Sequence, residues 1–168
     1  MTKLIQRAIV GAAIAAFGLS AGVAQAAPAT ATATAKARIL KQITVTNTSD
    51  LDFGTIVAGT AASTVAVSTG AVRTCGVGLT CTGTVTAANF NVTGTAAAVV
   101  TVTGDNSVTL TNGSGGTMSA ALTRSSATLT MVNAAIGGTF QVGGTLSLAA
   151  NQADGAYTGT FNVSVDYQ

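Results

Sequence analysis

The stretch that decides the fold is Phe161-Asn162-Val163-Ser164-Val165-Asp166-Tyr167-Gln168, at the end of the chain. Apolar and polar side chains alternate in it, which is typical of a strand with one buried face. Terminal residues usually bury too little surface to offset the entropy of ordering them. An alternation that continues to the last residues therefore indicates that this end of the chain is part of the core. We therefore predict a last strand over residues 157–167 whose core-facing side chains are Phe161, Val163, Val165 and Tyr167.

The rest of the chain has the same character. It is 48% hydrophobic and 7% charged, it contains 20 glycines, and it is rich in Thr and Val, which favour sheets. Short apolar segments follow one another between turns that contain Gly and Asn. No stretch after Ala26 shows helical spacing, and no fixed repeat period is present. These features predict an all-β sandwich or barrel.

Individual strands follow from the same patterns. Residues 85–93 and 98–103 are expected to form a pair of strands around the turn Gly94-Thr95. Residues 139–142 and 146–148 are expected to be separate strands. Tyr157 is a candidate corner tyrosine, whose hydroxyl would bond the backbone, as is common in sandwiches.

The N-terminus has the pattern of an export signal. Lys3 and Arg7 precede an apolar run over residues 8–23, and Ala24-Gln25-Ala26 has the small-x-small form of a cleavage site. We predict a signal peptide over residues 1–26 and an exported protein; a membrane anchor is the alternative, but the run is short for one. The formal net charge of +2 disappears without Lys3 and Arg7, so no basic surface for nucleic acid is expected.

Cys75 and Cys81 are the 2 cysteines of the chain. An even number of cysteines in an exported protein favours a disulfide, and the glycines between them allow a tight loop. Free thiols are the alternative. A zinc site is not expected, because the chain has no His or Glu to complete the ligand set.

The residues that follow the predicted signal form an unusual segment. Ala and Thr alternate over residues 29–35, and the pattern continues into Arg38-Ile39-Leu40. This predicts a long edge strand, although a flexible tail is an alternative. We expect an N-terminal extension over residues 27–47 and a β-sandwich domain over residues 48–168. The face of the extension with small apolar side chains comprises Ala29, Ala31, Ala33, Ala35, Ala37 and Ile39.

Candidate catalytic residues are scarce. General acid–base chemistry usually recruits His or a carboxylate with a shifted pKa. This chain has no His, and Asp50 and Asp52 are its close pair of carboxylates, which we interpret as solvated turn residues. We expect no enzyme activity, no cofactor and no metal.

Two blocks of the sequence resemble a known family. Leu51-Asp52-Phe53-Gly54-Thr55-Ile56 and the segment Asp154-Gly155-Ala156-Tyr157-Thr158-Gly159-Thr160-Phe161, continued to Gln168, are similar to a family of small exported bacterial β-proteins. That family is known as a domain of unknown function. It looks related to spore-coat protein U and to the major subunits of archaic chaperone–usher pili.

The resemblance implies an immunoglobulin-like, pilin-like sandwich that works by donor-strand complementation. The extension of one subunit would then fill a groove in the next, with Ala29 to Ile39 as the donor and Phe161 to Tyr167 beside the groove. The implied partners are identical or related subunits in a head-to-tail homopolymer, a periplasmic chaperone and an outer-membrane usher. The implied location is the Gram-negative periplasm and then the cell surface. The alternative is a monomeric secreted or surface-adhesive β-sandwich whose own extension completes its sheet.

Overall fold

The computed structural model describes residues 26–132 and 137–168. The predicted signal peptide, apart from Ala26, therefore lies outside the described residues. The chain divides after Ala37 into an N-terminal unit and a second unit, Arg38–Gln168. Residues 26–37 are exposed and have no regular secondary structure.

The second unit is all-β, and its described residues contain strands and no helix. Thr, Val and Ser dominate these strands, and most strands alternate between buried and exposed side chains. Their bounds are β1 Thr44–Ser49, β2 Thr55–Val57, β3 Ser63–Val67, β4 Arg73–Cys75, β5 Thr80–Thr82, β6 Ala88–Thr93, β7 Val99–Gly104, β8 Ser107–Thr111, β9 Thr117–Arg124, β10 Thr128–Thr130, β11 Gly138–Leu148 and β12 Val163–Tyr167.

All the strand pairs are antiparallel. A 7-stranded sheet has the order β1-β6-β11-β3-β4, and β9 joins it by pairing with β11 and with β8. A 3-stranded sheet has the order β10-β7-β12, and β2 pairs with β5 in a 2-stranded sheet. This arrangement is consistent with a β-sandwich.

Our prediction that the strands around Gly94-Thr95 pair with each other is wrong. β6 pairs with β1 and β11 in the large sheet, whereas β7 pairs with β10 and β12 in the 3-stranded sheet. The turn therefore carries the chain from one sheet to the other. Both strands have alternating buried side chains, and they bury them against the same core from opposite sides.

The break that we expected between residues 142 and 146 is also absent. β11 runs without interruption for 11 residues, pairs with β9 on one side, and pairs with β6 and then β3 on the other. A side chain at Gly143 would collide with the carbonyl oxygen of Val67. These glycines therefore allow close packing of neighbouring backbone within a central strand, and they do not form a turn.

The buried residues form two clusters. We call the first the closed core; it lies between the large sheet and the 3-stranded sheet and comprises Ala88, Phe90, Val92, Val100, Val102, Met131, Phe140, Val142 and Val165. We call the second the open core; it comprises Phe53, Val65, Val67, Val108, Ala120, Leu146 and Leu148. Of the buried residues that the structure describes in the open core, Phe53 alone lies outside the large sheet.

The C-terminal strand has the predicted alternation. Val165 is buried in the closed core, and Phe161, Val163 and Tyr167 are half-buried against it. The strand is shorter than predicted, because residues before Val163 first follow β8, where Thr158 pairs with Thr111. The chain then crosses to β7, and Asp105 accepts a hydrogen bond from the backbone of Asn162 at this crossing, at 2.7 Å.

Candidate functional site: an open groove and an unpaired strand edge

A groove of about 700 Å³ opens over the open core. Its floor is apolar and comes from one face of the large sheet, where the alternation of β8, β9 and β11 turns large side chains the same way. One wall is the segment over residues 51–58, and the other is the segment over residues 152–157. The floor side chains are Leu110, Met118, Leu146 and Leu148.

The groove exists because the 3-stranded sheet, which covers the closed core as a second layer, does not extend over the open core. β7 and β12 contribute buried residues to the closed core, and none of their buried residues in the described chain belongs to the open core. Phe161 is the side chain before β12 that packs against both clusters. Its ring meets Phe90 edge to face, with ring centroids 6.4 Å apart. The 3-stranded layer therefore ends near Phe161, and the open core beyond it is met only in part, by side chains of β2, β5 and their flanking segments.

The outer edge of β12 is the second feature of the site. β12 pairs with β7 on one side and is the last strand of its sheet in the described chain. The backbone bonds between Gln168 and Val99 and between Asn162 and Asp105 set the register. Because antiparallel bonding alternates, Ser164 and Asp166 face β7, and the backbone groups of the odd-numbered residues point away from it.

The open edge therefore presents the amides and carbonyls of Val163, Val165 and Tyr167, while their side chains point towards the closed core. An edge with unpaired backbone groups is a template for another extended strand. The sequence predicted these side chains, with Phe161, as neighbours of a partner strand. The structure brings them together on one face against the closed core, whereas the groove over the open core is lined by other residues, and pairing of this edge with a partner stays a prediction.

The wall over residues 152–157 is fixed by Tyr157. Its Oη donates to the carbonyl oxygen of Ala153 at 2.9 Å and accepts a hydrogen bond from Gln152 Nε2 at 2.9 Å. The predicted corner tyrosine is therefore confirmed. Gln152 Nε2 also donates to the Thr117 carbonyl at 3.2 Å, and Asn112 Nδ2 donates to the Asp154 carbonyl at 3.2 Å. These bonds tie the wall to the β8–β9 turn.

The opposite wall is held by the disulfide. Cys75 in β4 is bonded to Cys81 in β5, as the sequence predicted, with the two Cα atoms 6.1 Å apart. Cys81 lies opposite Ile56 in β2, and Ile56 lines the groove. The bond therefore links the large sheet to the small sheet that contains this wall. Asp52 also belongs to the wall, and its carboxylate accepts a bond from the Gly54 amide at 2.8 Å, as expected for a turn residue.

The candidate donor residues lie in the exposed N-terminal part of the chain. Ala29, Ala31, Ala33, Ala35 and Ala37 are exposed, and Ile39 is 93% exposed. By contrast, Ile43 and Val45 at the start of the domain pack against the closed core of their own chain. Ile39 is thus a large apolar side chain of the extension that remains in solvent in its own chain.

Sequence reasoning missed the floor of the groove. Leu146 and Leu148 stand in the alternating stretch Thr145-Leu146-Ser147-Leu148, which indicates a buried face but not what covers it. Leu110 and Met118 lie on either side of a glycine-rich turn and carry no separate signal. Their role depends on which half of the large sheet the second layer covers.

The described ranges 26–132 and 137–168 contain no group of three or more His, Cys, Asp or Glu side chains that could hold a metal ion. In the same ranges, no helix has the length and apolar character needed to cross a membrane.

The profile of a family described as "Domain of unknown function (DUF4402)" matches residues 43–167. No curated protein and no solved structure shows a significant match to the chain. The matched range covers most of the sequence, from the start of β1 to the end of β12. The chain therefore belongs to the DUF4402 family.

Proposed function

We propose that this DUF4402 protein is a structural subunit of a bacterial surface fibre that assembles by donor-strand complementation. The N-terminal extension of one copy would lie in the open groove and along the free edge of β12 in the next copy. The observation that carries this proposal is that one unit has both an apolar groove over its open core and, at its closed core, an outer edge of β12 without a strand partner in the described chain. In this mode of recognition, backbone bonds supply affinity and alternate side chains fill pockets.

The dimensions of the donor suit this role. Residues 29–39 match in number the 11 residues of β11, which is the longest strand. Extended, they would span roughly 36 Å, at about 3.3 Å for each residue. Their alternation places small side chains and Ile39 on one face, and that face can approach a sheet closely.

Ile39 is the anchor in this proposal. Alanine side chains bury little apolar area, and burial stabilises by roughly 25 cal/mol per Å². Ile43 and Val45 are already packed in their own domain, so Ile39, at 93% exposure, remains to fill a pocket in a neighbour. On the groove floor, the half-buried Leu110 and Met118 offer apolar surface for such a side chain.

The partners and the location extend the same proposal. The predicted signal over residues 1–26 would direct export, and the Cys75–Cys81 disulfide is compatible with an oxidising compartment. A periplasmic chaperone would cover the free edge until an outer-membrane usher exchanges it for the next subunit. The fibre would then lie on the cell surface. Repeated head-to-tail contacts of this kind produce open filaments. The role is structural, and we propose no enzymatic activity.

The test compares the mature protein with a variant that lacks residues 27–37. The truncated subunit should fold when it is co-expressed with a chaperone and should not polymerise. A synthetic peptide of residues 29–39 should then raise its melting temperature in a concentration-dependent way, because a ligand that binds only the folded state stabilises it. The matched control is the same peptide with Ile39→Asp, which would place an unpaired charge in an apolar groove.

Other outcomes would contradict the proposal in different ways. A mature protein that stays monomeric at high concentration, with a truncated form that aggregates through its bare edge, would mean that the extension completes its own domain. A truncated form that is as stable and as monomeric as the mature protein, and that ignores the peptide, would mean that the extension is only a tail.

A further inference from the structure

Tyr167 joins three separate parts of the domain through its hydroxyl group. Its Oη accepts a hydrogen bond from the Thr95 amide at 2.8 Å and donates to the carbonyl oxygen of Lys41 at 2.7 Å. The Lys41 amide in turn donates to Thr95 Oγ1 at 2.7 Å. The last strand, the β6–β7 turn and the lead into β1 are therefore tied at one point.

The β6–β7 turn is shaped for this phenol. Gly94 is buried, and a Cβ atom at this position would lie 2.6 Å from Tyr167 Oη and 2.9 Å from Met131 Cε. Any larger residue would displace the ring or the turn. The absence of a side chain at Gly94 therefore lets the hydroxyl reach both the Thr95 amide and Lys41.

Lys41 marks the place where the chain becomes fixed. Residues 26–42 are exposed, and β1 begins at Thr44. Within the described chain, no hydrogen bond of the domain involves a residue before Lys41. The bonds of Lys41 to Tyr167 and Thr95 are therefore the first hydrogen bonds between the domain and the chain that enters it.

We infer that Tyr167 is a positioning residue that fixes where the N-terminal extension leaves the domain. The role of this attachment in a fibre rests on the proposed function, whereas the attachment itself does not. The extension of one subunit is attached to its own domain at Lys41, and the free edge of its β12, which ends with Tyr167, would receive the extension of the next subunit. In the proposed fibre, the bond of Tyr167 Oη to the Lys41 carbonyl would therefore link the strand that receives one donor to the base of the other donor.

Limited proteolysis with trypsin tests the attachment on the isolated mature protein. Lys36, Arg38, Lys41, Arg73 and Arg124 are the cleavage sites of the chain after residue 26, and Lys36 and Arg38 lie before the attachment point. Cleavage after a fixed residue requires local opening, and its rate follows the open population when reclosing is fast. For Tyr167→Phe, which removes the hydroxyl and leaves the ring, we expect the initial rate after Lys41 to rise about tenfold, as for the loss of hydrogen bonds of ordinary strength. The rate after Lys36 should not change.

Two comparisons keep the result interpretable. Tyr157→Phe makes the same chemical change at the other tyrosine and should leave the rate after Lys41 unchanged. Thr95→Ala removes the acceptor of the Lys41 amide and keeps the phenol, so it should cause a smaller increase than Tyr167→Phe.

An unchanged rate after Lys41 in Tyr167→Phe would overturn the inference. Faster cleavage after Arg73 and Arg124 in the same variant would overturn it too, because the hydroxyl would then support the whole fold and not one attachment point. Since these rates are measured on the unassembled chain, they are independent of polymerisation. A protein that never polymerises but shows the selective increase at Lys41 would refute the fibre and leave the positioning role intact.

Discussion

The closed core and the open core lie on the same large sheet, yet they are covered differently. Over the closed core, β7 and β12 complete a second layer, and Phe140 and Phe90 stack with ring centroids 5.1 Å apart and planes at 13°. Over the open core, short segments and Tyr157 leave a groove of about 700 Å³ between them. The sequence of the sheet is apolar in both halves, so its alternation alone does not determine which half is covered.

In the proposed fibre, this difference would separate the residues that determine stability from those that determine assembly. Residues of the closed core are buried by their own chain and should govern the free energy of unfolding of the domain. On the groove floor, Leu146 and Leu148 are already buried and Leu110 and Met118 are half-buried, so an arriving strand would add burial mainly at Leu110 and Met118. Substitutions in the two halves should therefore affect different measurements, and this contrast can be tested in order of expected effect.

The largest effect is expected in the closed core. Phe140 is 0% exposed, and Phe140→Ala should lower the free energy of unfolding by about 3–5 kcal/mol, the range for a large side chain truncated in a packed interior. Urea unfolding measures this loss. Phe140→Leu is the control and should lose clearly less. A loss below about 1 kcal/mol for the alanine variant would mean that this half is not closed as the structure has it.

The disulfide is expected to contribute a smaller amount. Replacing both Cys75 and Cys81 with Ser should cost about 2 kcal/mol, because the closed loop is short. Reduction of the unmodified protein should produce the same shift in the urea midpoint. Because the bond holds the wall that contains Ile56, the variant should also bind the peptide of residues 29–39 more weakly. Normal peptide affinity in the reduced protein would show that this wall is not part of the site.

Much of the fold could be predicted from the sequence because it depends on local patterns. The alternation of Phe161 to Tyr167, the Cys75–Cys81 bond and the backbone bond of Tyr157 each follow from a few neighbouring residues. All of these features are present in the structure. Local alternation also predicted most of the strands, although their bounds differ by several residues in places.

The predictions that were wrong or missing concern features that depend on long-range packing. Residues 139–142 and 146–148 looked like separate strands in the sequence, but Gly143 and Gly144 lie within β11, where the Val67 carbonyl approaches Gly143 too closely for a side chain. Gly94-Thr95 looks like a hairpin turn, but the strands beside it belong to different sheets. The groove floor was missed for the same reason, since the extent of the second layer is decided by where the chain crosses between sheets.

The groove floor should show an intermediate effect that depends on the partner strand. Met118 is half-buried, so Met118→Ala should cost about 1 kcal/mol in the domain alone. With the peptide of residues 29–39 bound, the same substitution should cost more, because the peptide would cover the thioether. Thermal melts with and without peptide measure both values. Phe140→Ala serves as the contrast, since its cost should not depend on the peptide.

The smallest effect on stability is expected at Ile39, where the effect on assembly should be greatest. Ile39 is 93% exposed, so Ile39→Ser should change the free energy of unfolding of the isolated domain by less than about 0.5 kcal/mol. In the proposed fibre this side chain enters the groove of a neighbour, and the same variant should polymerise poorly. Sedimentation of the variant and chemical denaturation of its monomer separate the two effects. Val77, which is 95% exposed at the tip of the disulfide loop, provides the control, because Val77→Ser removes an equally exposed apolar side chain outside the donor. Equal polymerisation of the Ile39 and Val77 variants would remove Ile39 as the anchor. A large loss of domain stability in Ile39→Ser alone would show that its own chain covers it, and would favour a self-completed monomer over a fibre.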